Sequence, residues 1–257
     1  MYKLIYSIFI TTFLSLGSVP SMGEESVDSK KIYVLVHGAW VGEWTWEPVA
    51  RILRDHGHEV YNVSLKGQGE RSDELSGEIT FEDHVNDVLT VLEKNDLKNV
   101  YLVPHSYGGK VATAAWDRSR GRIHHVIYVD AFAPLINQQA EFAYTFSAGY
   151  EADFREANPE ATNKTLVPYP LVNTLSGVIS DMPLGTIGVT LNISEPFSVN
   201  TLKSFVLAGN ETQSSFSTEI FPSIKDDDSW EKFVLPTGHF VMLDMPEVLA
   251  AILLNVE

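Results

Sequence analysis

The 257-residue chain contains no cysteine. Disulfide staples, a thiol nucleophile, cysteine-ligated zinc and iron–sulfur centres are all excluded. Stability must then come from a packed core, and a chain of this length with 44% hydrophobic and 11% aromatic residues can bury one in a single domain. Basic residues are scarce: 18 Lys and Arg stand against 34 Asp and Glu, a formal net charge of −16. So acidic a surface repels phosphate backbones and anionic lipid, which argues against nucleic acid as a partner and against stable membrane association. Internal repeats and low-complexity tracts are also lacking, so neither a solenoid nor a disordered tail is expected.

Long apolar runs are missing except at the very start. There "MYK" supplies a short basic segment, "LIYSIFITTFLSLG" an apolar run and "SVPSMG" a small-residue stretch. Residues 1–23 therefore have the layout of a signal peptide cleaved after Gly23, which implies a secreted or periplasmic protein. The run is short for a helix that spans a bilayer. Its removal takes Lys3 and no acid, leaving 17 basic against 34 acidic residues, near −17. With no cysteine near the cleavage point, lipid attachment to a cysteine is excluded. Residues 24–257 form the expected mature domain.

Along that domain, β-rich runs alternate with amphipathic stretches, the pattern of a mostly parallel α/β sheet. "KIYVLVHG" (31–38) is a buried strand. "TWEPVARILRDHG" is a helix with Val49, Ile52 and Leu53 on one face and Gly57 at its end. "HEVYNVSL" is the next strand, followed by a polar loop, "KGQGERSDELSG". "TFEDHVNDVLTVLEKN" is a helix with Thr80 at its N-cap and Val85, Val88, Leu89 and Leu92 turned inward. After "NVYLV" comes a tight turn, a helix from about Tyr107 to Trp116, and the strand "HHVIYVDAFAP", stopped at Pro134. The rhythm then breaks until about residue 200. A segment this long between core strands is expected to be an inserted cap rather than a loop. The core resumes with "LKSFVLAG" and "EKFVLP" and ends in the helix "PEVLAAILLNV".

The turn is "VPHSYGG" (103–109). It falls between an apolar strand and a helix, the context in which G-x-S-x-G presents a nucleophilic serine, although Pro104 replaces the first glycine. Proline is compact, its φ suits a strand end, and it biases Val103 toward extended backbone. Ser106 is the candidate nucleophile. Serine needs a base to take its proton. His56, His58, His84, His124 and His125 have bland positions, at a helix end, on a helix surface or at the start of a strand. His239, in "FVLPTGHF", falls just after the last strand, at the edge where Ser106 emerges. The third group must be a carboxylate at that edge. Asp130 in "IYVDAFAP" and Glu211 in "FVLAGNET" both keep the order serine, acid, histidine. Asp130 is preferred because a carboxylate inside an apolar run needs a partner, whereas Glu211 in a polar loop can simply be solvated. The oxyanion would be held by the amides of Tyr107 and of Ala39 in "VHGAWVGEWTW", where Gly38 lets the backbone approach. Trp40 and Phe132 are the expected substrate contacts, with Trp44, Trp46 and Tyr107 as further pocket candidates. Asn62, Asn163, Asn192 and Asn210 match N-x-S/T, a pattern common by chance, and "KDDDSW" (225–230) fits a solvated loop better than a cation site.

Taken together, "YVLVHGAWVGEWTWEPVARILRDHGHEV", "YLVPHSYGGKVA", "VIYVDAFAP" and "LPTGHFVMLDMPEVLAAIL" resemble the α/β-hydrolase superfamily. Within it the chain is similar to the small esterases grouped with plant methyl esterases and hydroxynitrile lyases, and to their bacterial relatives. The resemblance implies an α/β-hydrolase fold, a mostly parallel central sheet flanked by helices with a mainly helical cap at about 134–200. It implies Ser106 and His239 as catalytic and Ala39 and Tyr107 as oxyanion donors, with no metal or cofactor. In the plant members the acid follows the later strand, where this chain has Glu211; bacterial relatives with an "LDAF"-like segment match Asp130. The lyases carry threonine in place of Gly38 and lysine in place of Phe240, so hydrolysis is expected rather than cyanohydrin cleavage. The expected activity is a serine esterase acting on small, apolar or aromatic carboxylic esters, as a monomer or homodimer. The competing expectations are a lactonase or carbon–carbon bond hydrolase on the same fold, or a non-catalytic ligand receptor.

Overall fold

The computed structural model describes residues 30–134, 145–169, 175–189, 191, 193 and 201–257, and leaves out the side chains of 145–150. The expected signal segment, 1–23, lies outside the described residues, as does part of the expected cap. Among the described residues no helix is long and apolar enough to cross a membrane.

The chain enters the sheet through β1 (Ile32–Val36), then passes through α1 (Glu47–Asp55), β2 (Glu59–Val63), α2 (Phe81–Lys94) and β3 (Val100–Pro104). It continues through α3 (Gly108–Arg118) and β4 (Ile123–Val129) into the segment expected to form a cap. Described within that segment are α4 (Thr145–Ala157), an antiparallel pair β5 (Leu166–Val167) and β6 (Met182–Pro183), and α5 (Leu184–Ile187). β7 (Leu202–Ala208), α6 (Phe221–Ile224), β8 (Glu231–Leu235), α7 (Val241–Asp244) and α8 (Pro246–Asn255) complete the core.

The six core strands lie in the order β2-β1-β3-β4-β7-β8, and every pairing is parallel. Parallel strands joined by helices are covered on both faces, which explains their nearly continuous apolar runs. Along β1, Val34 and Val36 join the core beneath α2 and α3, while Tyr33 and Leu35 join the core beneath α1 and α8. The order reverses at β1: the chain first adds β2 on one side, then crosses to place β3 on the other. Ligands of open α/β sheets bind at such a switch point, beyond the carboxyl ends of the strands. Val36 is opposite Pro104 in the register, so the residues after β1 and those after β3 leave the sheet side by side.

Local chemistry accounts for the element ends. Thr80 caps α2 by accepting from the Asp83 amide at 3.2 Å, and Asp83 Oδ2 accepts from the Thr80 amide at 2.8 Å. The helix expected over 45–57 divides after Trp46: Glu43–Trp46 is a single 3-10 turn, and α1 follows from Glu47 with Pro48 in its first turn, where no N–H is needed. The strand expected to run to Pro134 stops at Val129, because Asp130 takes φ +40° and turns the chain out of the ladder.

Candidate active site

Pro104 is the last residue of β3, and the next amide, that of His105, still donates to Val36 O at 2.9 Å. The missing proline N–H therefore interrupts nothing beyond the strand end. Ser106 follows with φ +51° and is half-buried, and α3 starts two residues later. The turn is tight because neighbouring backbones press on its glycines. A methyl group on Gly108 would lie 2.5 Å from His37 O and 2.8 Å from Val36 O, and one on Gly109 would lie 2.3 Å from Phe132 O. The glycines make room for the backbones that leave the neighbouring strands.

His239 follows β8. Its Nδ1 lies 2.6 Å from Asp130 Oδ2, and the other carboxylate oxygen, Oδ1, accepts from the Ala208 amide at 3.1 Å. Asp130 is fully buried, while the His239 side chain keeps 30% exposure and so can be reached from outside. An ionised carboxylate only accepts, so the proton of this bond sits on Nδ1 and His239 Nε2 carries the lone pair. The imidazole is also stacked on Phe216, with centroids 5.3 Å apart and planes 5° apart, and its centroid lies 4.4 Å from that of His105. Glu211, the other candidate acid, is exposed; its Oε1 lies 3.4 Å from where a methyl on Gly238 would be, beside the His239 loop.

After β1, His37 is buried and bonded at both nitrogens. Nε2 accepts from the Leu65 amide at 3.1 Å, which leaves the proton on Nδ1 to donate to Gly38 O at 2.8 Å. Burial lowers the His37 pKa to about 4, so this tautomer persists at neutral pH. Because a trans peptide is planar, fixing Gly38 O turns the Ala39 N–H the opposite way. Among the described residues neither the Ala39 nor the Tyr107 amide has a protein acceptor. A methyl on Gly38 would lie 2.9 Å from His105 Nδ1 and 3.0 Å from Ser106 Cβ, so only glycine lets this loop approach the serine so closely.

The aromatic candidates divide. Trp40 sits at φ +63° and is bound to the segment expected to form a cap: its indole N–H donates to Val167 O at 2.9 Å and its carbonyl accepts from the Ser180 amide at 3.0 Å. Phe132 is 5% exposed, packs on Phe216 at 4.9 Å between centroids, and its amide donates to Ser106 O at 3.1 Å. Trp46 is completely buried in the core beneath α1 and α8, so it is a core residue and not a pocket wall. His84 also departs from expectation. It is fully buried, donates from Nε2 to Lys66 O at 3.0 Å and accepts at Nδ1 from the Tyr107 hydroxyl at 2.9 Å. Burial lowers its pKa to about 4. The signal overlooked in the sequence is its spacing of four and eight residues from the inward-facing Val88 and Leu92.

The sequence matches the model of the Alpha/beta hydrolase family over residues 33–252. The chain belongs to the alpha/beta hydrolase family. It is 33% identical to the carbendazim hydrolyzing esterase of Nocardioides sp. (strain SG-4G) over 237 residues, 85% of this chain and 96% of that one. It is 34% identical to methylesterase 8 of Arabidopsis thaliana over 136 residues, about half of each protein. An extracellular alpha/beta-hydrolase from a Paenibacillus species has a similar fold, with a TM-score of 0.70 and 23% identity over 88% of this chain and 98% of its own. As an alpha/beta hydrolase with esterase relatives over most of its length, the chain is a carboxylic ester hydrolase.

Proposed function

We propose that the protein is a serine esterase in which Ser106 attacks the ester carbonyl, His239 carries the proton and Asp130 orients the imidazole. The observation that carries this reading is the 2.6 Å bond from His239 Nδ1 to buried Asp130. It leaves Nε2 as the base, at the sheet edge where the Ser106 turn also emerges. His239 takes the serine proton as Ser106 attacks, then delivers it to the leaving alkoxide. Water, deprotonated by the same nitrogen, releases the acyl group. The amides of Ala39 and Tyr107 hold the negative oxygen of each tetrahedral intermediate. Asp130 stabilises the imidazolium without accepting its proton. Substrates are small carboxylic esters with an apolar or aromatic part, accommodated near Trp40 and Phe132.

Replacing Ser106 with alanine should abolish hydrolysis of short aryl esters and labelling of the folded protein by a fluorophosphonate. Substantial turnover by that variant would overturn the assignment. Absence of labelling in the unmodified protein would favour a ligand receptor on the same fold. A panel of methyl and aryl esters, carbendazim, lactones and diketones would fix the substrate class.

A further inference from the structure

We infer that His105 is a positioning residue for His239, acting through its Nε2–H; the inference rests on the serine-esterase reading above. His105 is 1% exposed, and its Nε2 lies 3.0 Å from the His239 carbonyl oxygen. A carbonyl only accepts, so Nε2 carries the proton and Nδ1 carries a lone pair. Among the described residues that lone pair has no hydrogen-bond partner, and it lies 2.9 Å from where a methyl on Gly38 would be. Burial, with His239 close by, holds the His105 pKa well below the ordinary histidine value, so the ring stays neutral.

This is an expensive residue to keep at such a place. A buried nitrogen without a partner disfavours folding, and an apolar side chain of similar size would remove it. What only a donor supplies is the bond to the His239 backbone. The His239 side chain is held at Nδ1 by Asp130 and on its face by Phe216, but neither contact fixes the main chain from which the ring projects. The bond from His105 does. It links the residue next to Ser106 directly to the residue that must receive the serine proton, so the distance between base and nucleophile is set within one rigid turn. A neutral ring also keeps a second positive charge away from His239, 4.4 Å off, when imidazolium forms.

The test compares His105→Gln with His105→Met. The two side chains have nearly equal length, and only glutamine retains an N–H. His105→Met should lower kcat for a short aryl ester about ten- to hundredfold with KM nearly unchanged, as expected for a misplaced base. Its Tm should hardly move, since the lost bond and the removed orphan nitrogen offset each other. His105→Gln should restore most of the lost kcat. Equal kcat in the methionine variant and the unmodified enzyme, or a glutamine variant no better than methionine, would overturn the inference. A methionine variant whose kcat loss is matched by a comparable loss of folded protein would reduce His105 to a core residue and would likewise overturn it. Inactivity of the unmodified protein toward all esters and toward fluorophosphonate would instead overturn the esterase reading.

Discussion

Trp40, Ser106 and Asp130 each take a left-handed backbone conformation, and each lies at or just beyond the carboxyl end of a different strand, β1, β3 and β4. Non-glycine residues at positive φ are strained, and such residues cluster where function overrides comfort. Asp130 gains most from it, since the turn brings its carboxylate under His239 and against the Ala208 amide. Glu211 does neither, being exposed. Asp130→Asn should therefore lower kcat by about three to four orders of magnitude, because a neutral amide fails to hold the required tautomer. Glu211→Gln should stay within about twofold, the usual range for an exposed group off the site. Steady-state rates of the two variants decide between the acids, and a larger loss at 211 would reverse the choice. The motif "VPHSYGG" singled out the candidate serine, and the apolar run around Asp130 favoured it over Glu211, but chain order alone allowed either acid and the contact with His239 is seen only in the fold.

At the scale of elements, the helix that follows Ser106 is tied to the segment around α5. Lys110, in the first turn of α3, is completely buried and donates to Ile187 O at 3.1 Å and Val189 O at 3.2 Å, at the end of α5. Burial lowers its pKa to about 7, against an opposing pull from Glu151. An unfolded chain has its lysines near pKa ~10.4. Between those values the unfolded state binds more protons than the folded state, so this residue makes stability rise with pH from about 7 toward 10. Lys110→Met should flatten that rise, which urea midpoints at pH 7 and pH 9 would measure; an unchanged slope would contradict it. Elements with a clean period were readable in advance, as α2 and its Thr80 cap illustrate. The short turns at Glu43–Trp46 and Phe216–Ile220 were not, since four or five residues carry too little pattern to separate from loop.

Across the whole molecule, burial holds His37, His84, His105 and His125 neutral. His37, His84 and His125 each have a pKa lowered to about 4, chiefly by desolvation. In the unfolded chain they titrate near ~6.5. As pH falls from about 6.5 toward 4, the unfolded state takes up protons that the folded state refuses, and stability is lost. The contribution is on the order of 3 kcal/mol per histidine once the range is crossed. The urea midpoint should therefore drop steeply between pH 6.5 and 4.5, and His125→Gln, remote from Ser106, should lessen the drop. A midpoint independent of pH over that window would refute the account. The same burial bears on the site, because His37 and His84 each need one bare nitrogen to accept a hydrogen bond, from the Leu65 amide and from the Tyr107 hydroxyl.

The sequence by itself determined the class of fold and pointed to the places of the proposed nucleophile and base. These follow from local signals: apolar runs of strand length, a serine between strand and helix, and a histidine after the last strand. Only the tertiary structure decided which carboxylate meets His239, that Trp46 belongs to the core, and that His37, His84 and His105 are buried. Those facts depend on contacts between residues far apart in the chain. Asp130 reaches His239 across 109 positions because β4, β7 and β8 are neighbours in the sheet, and strand order is not written in any one segment.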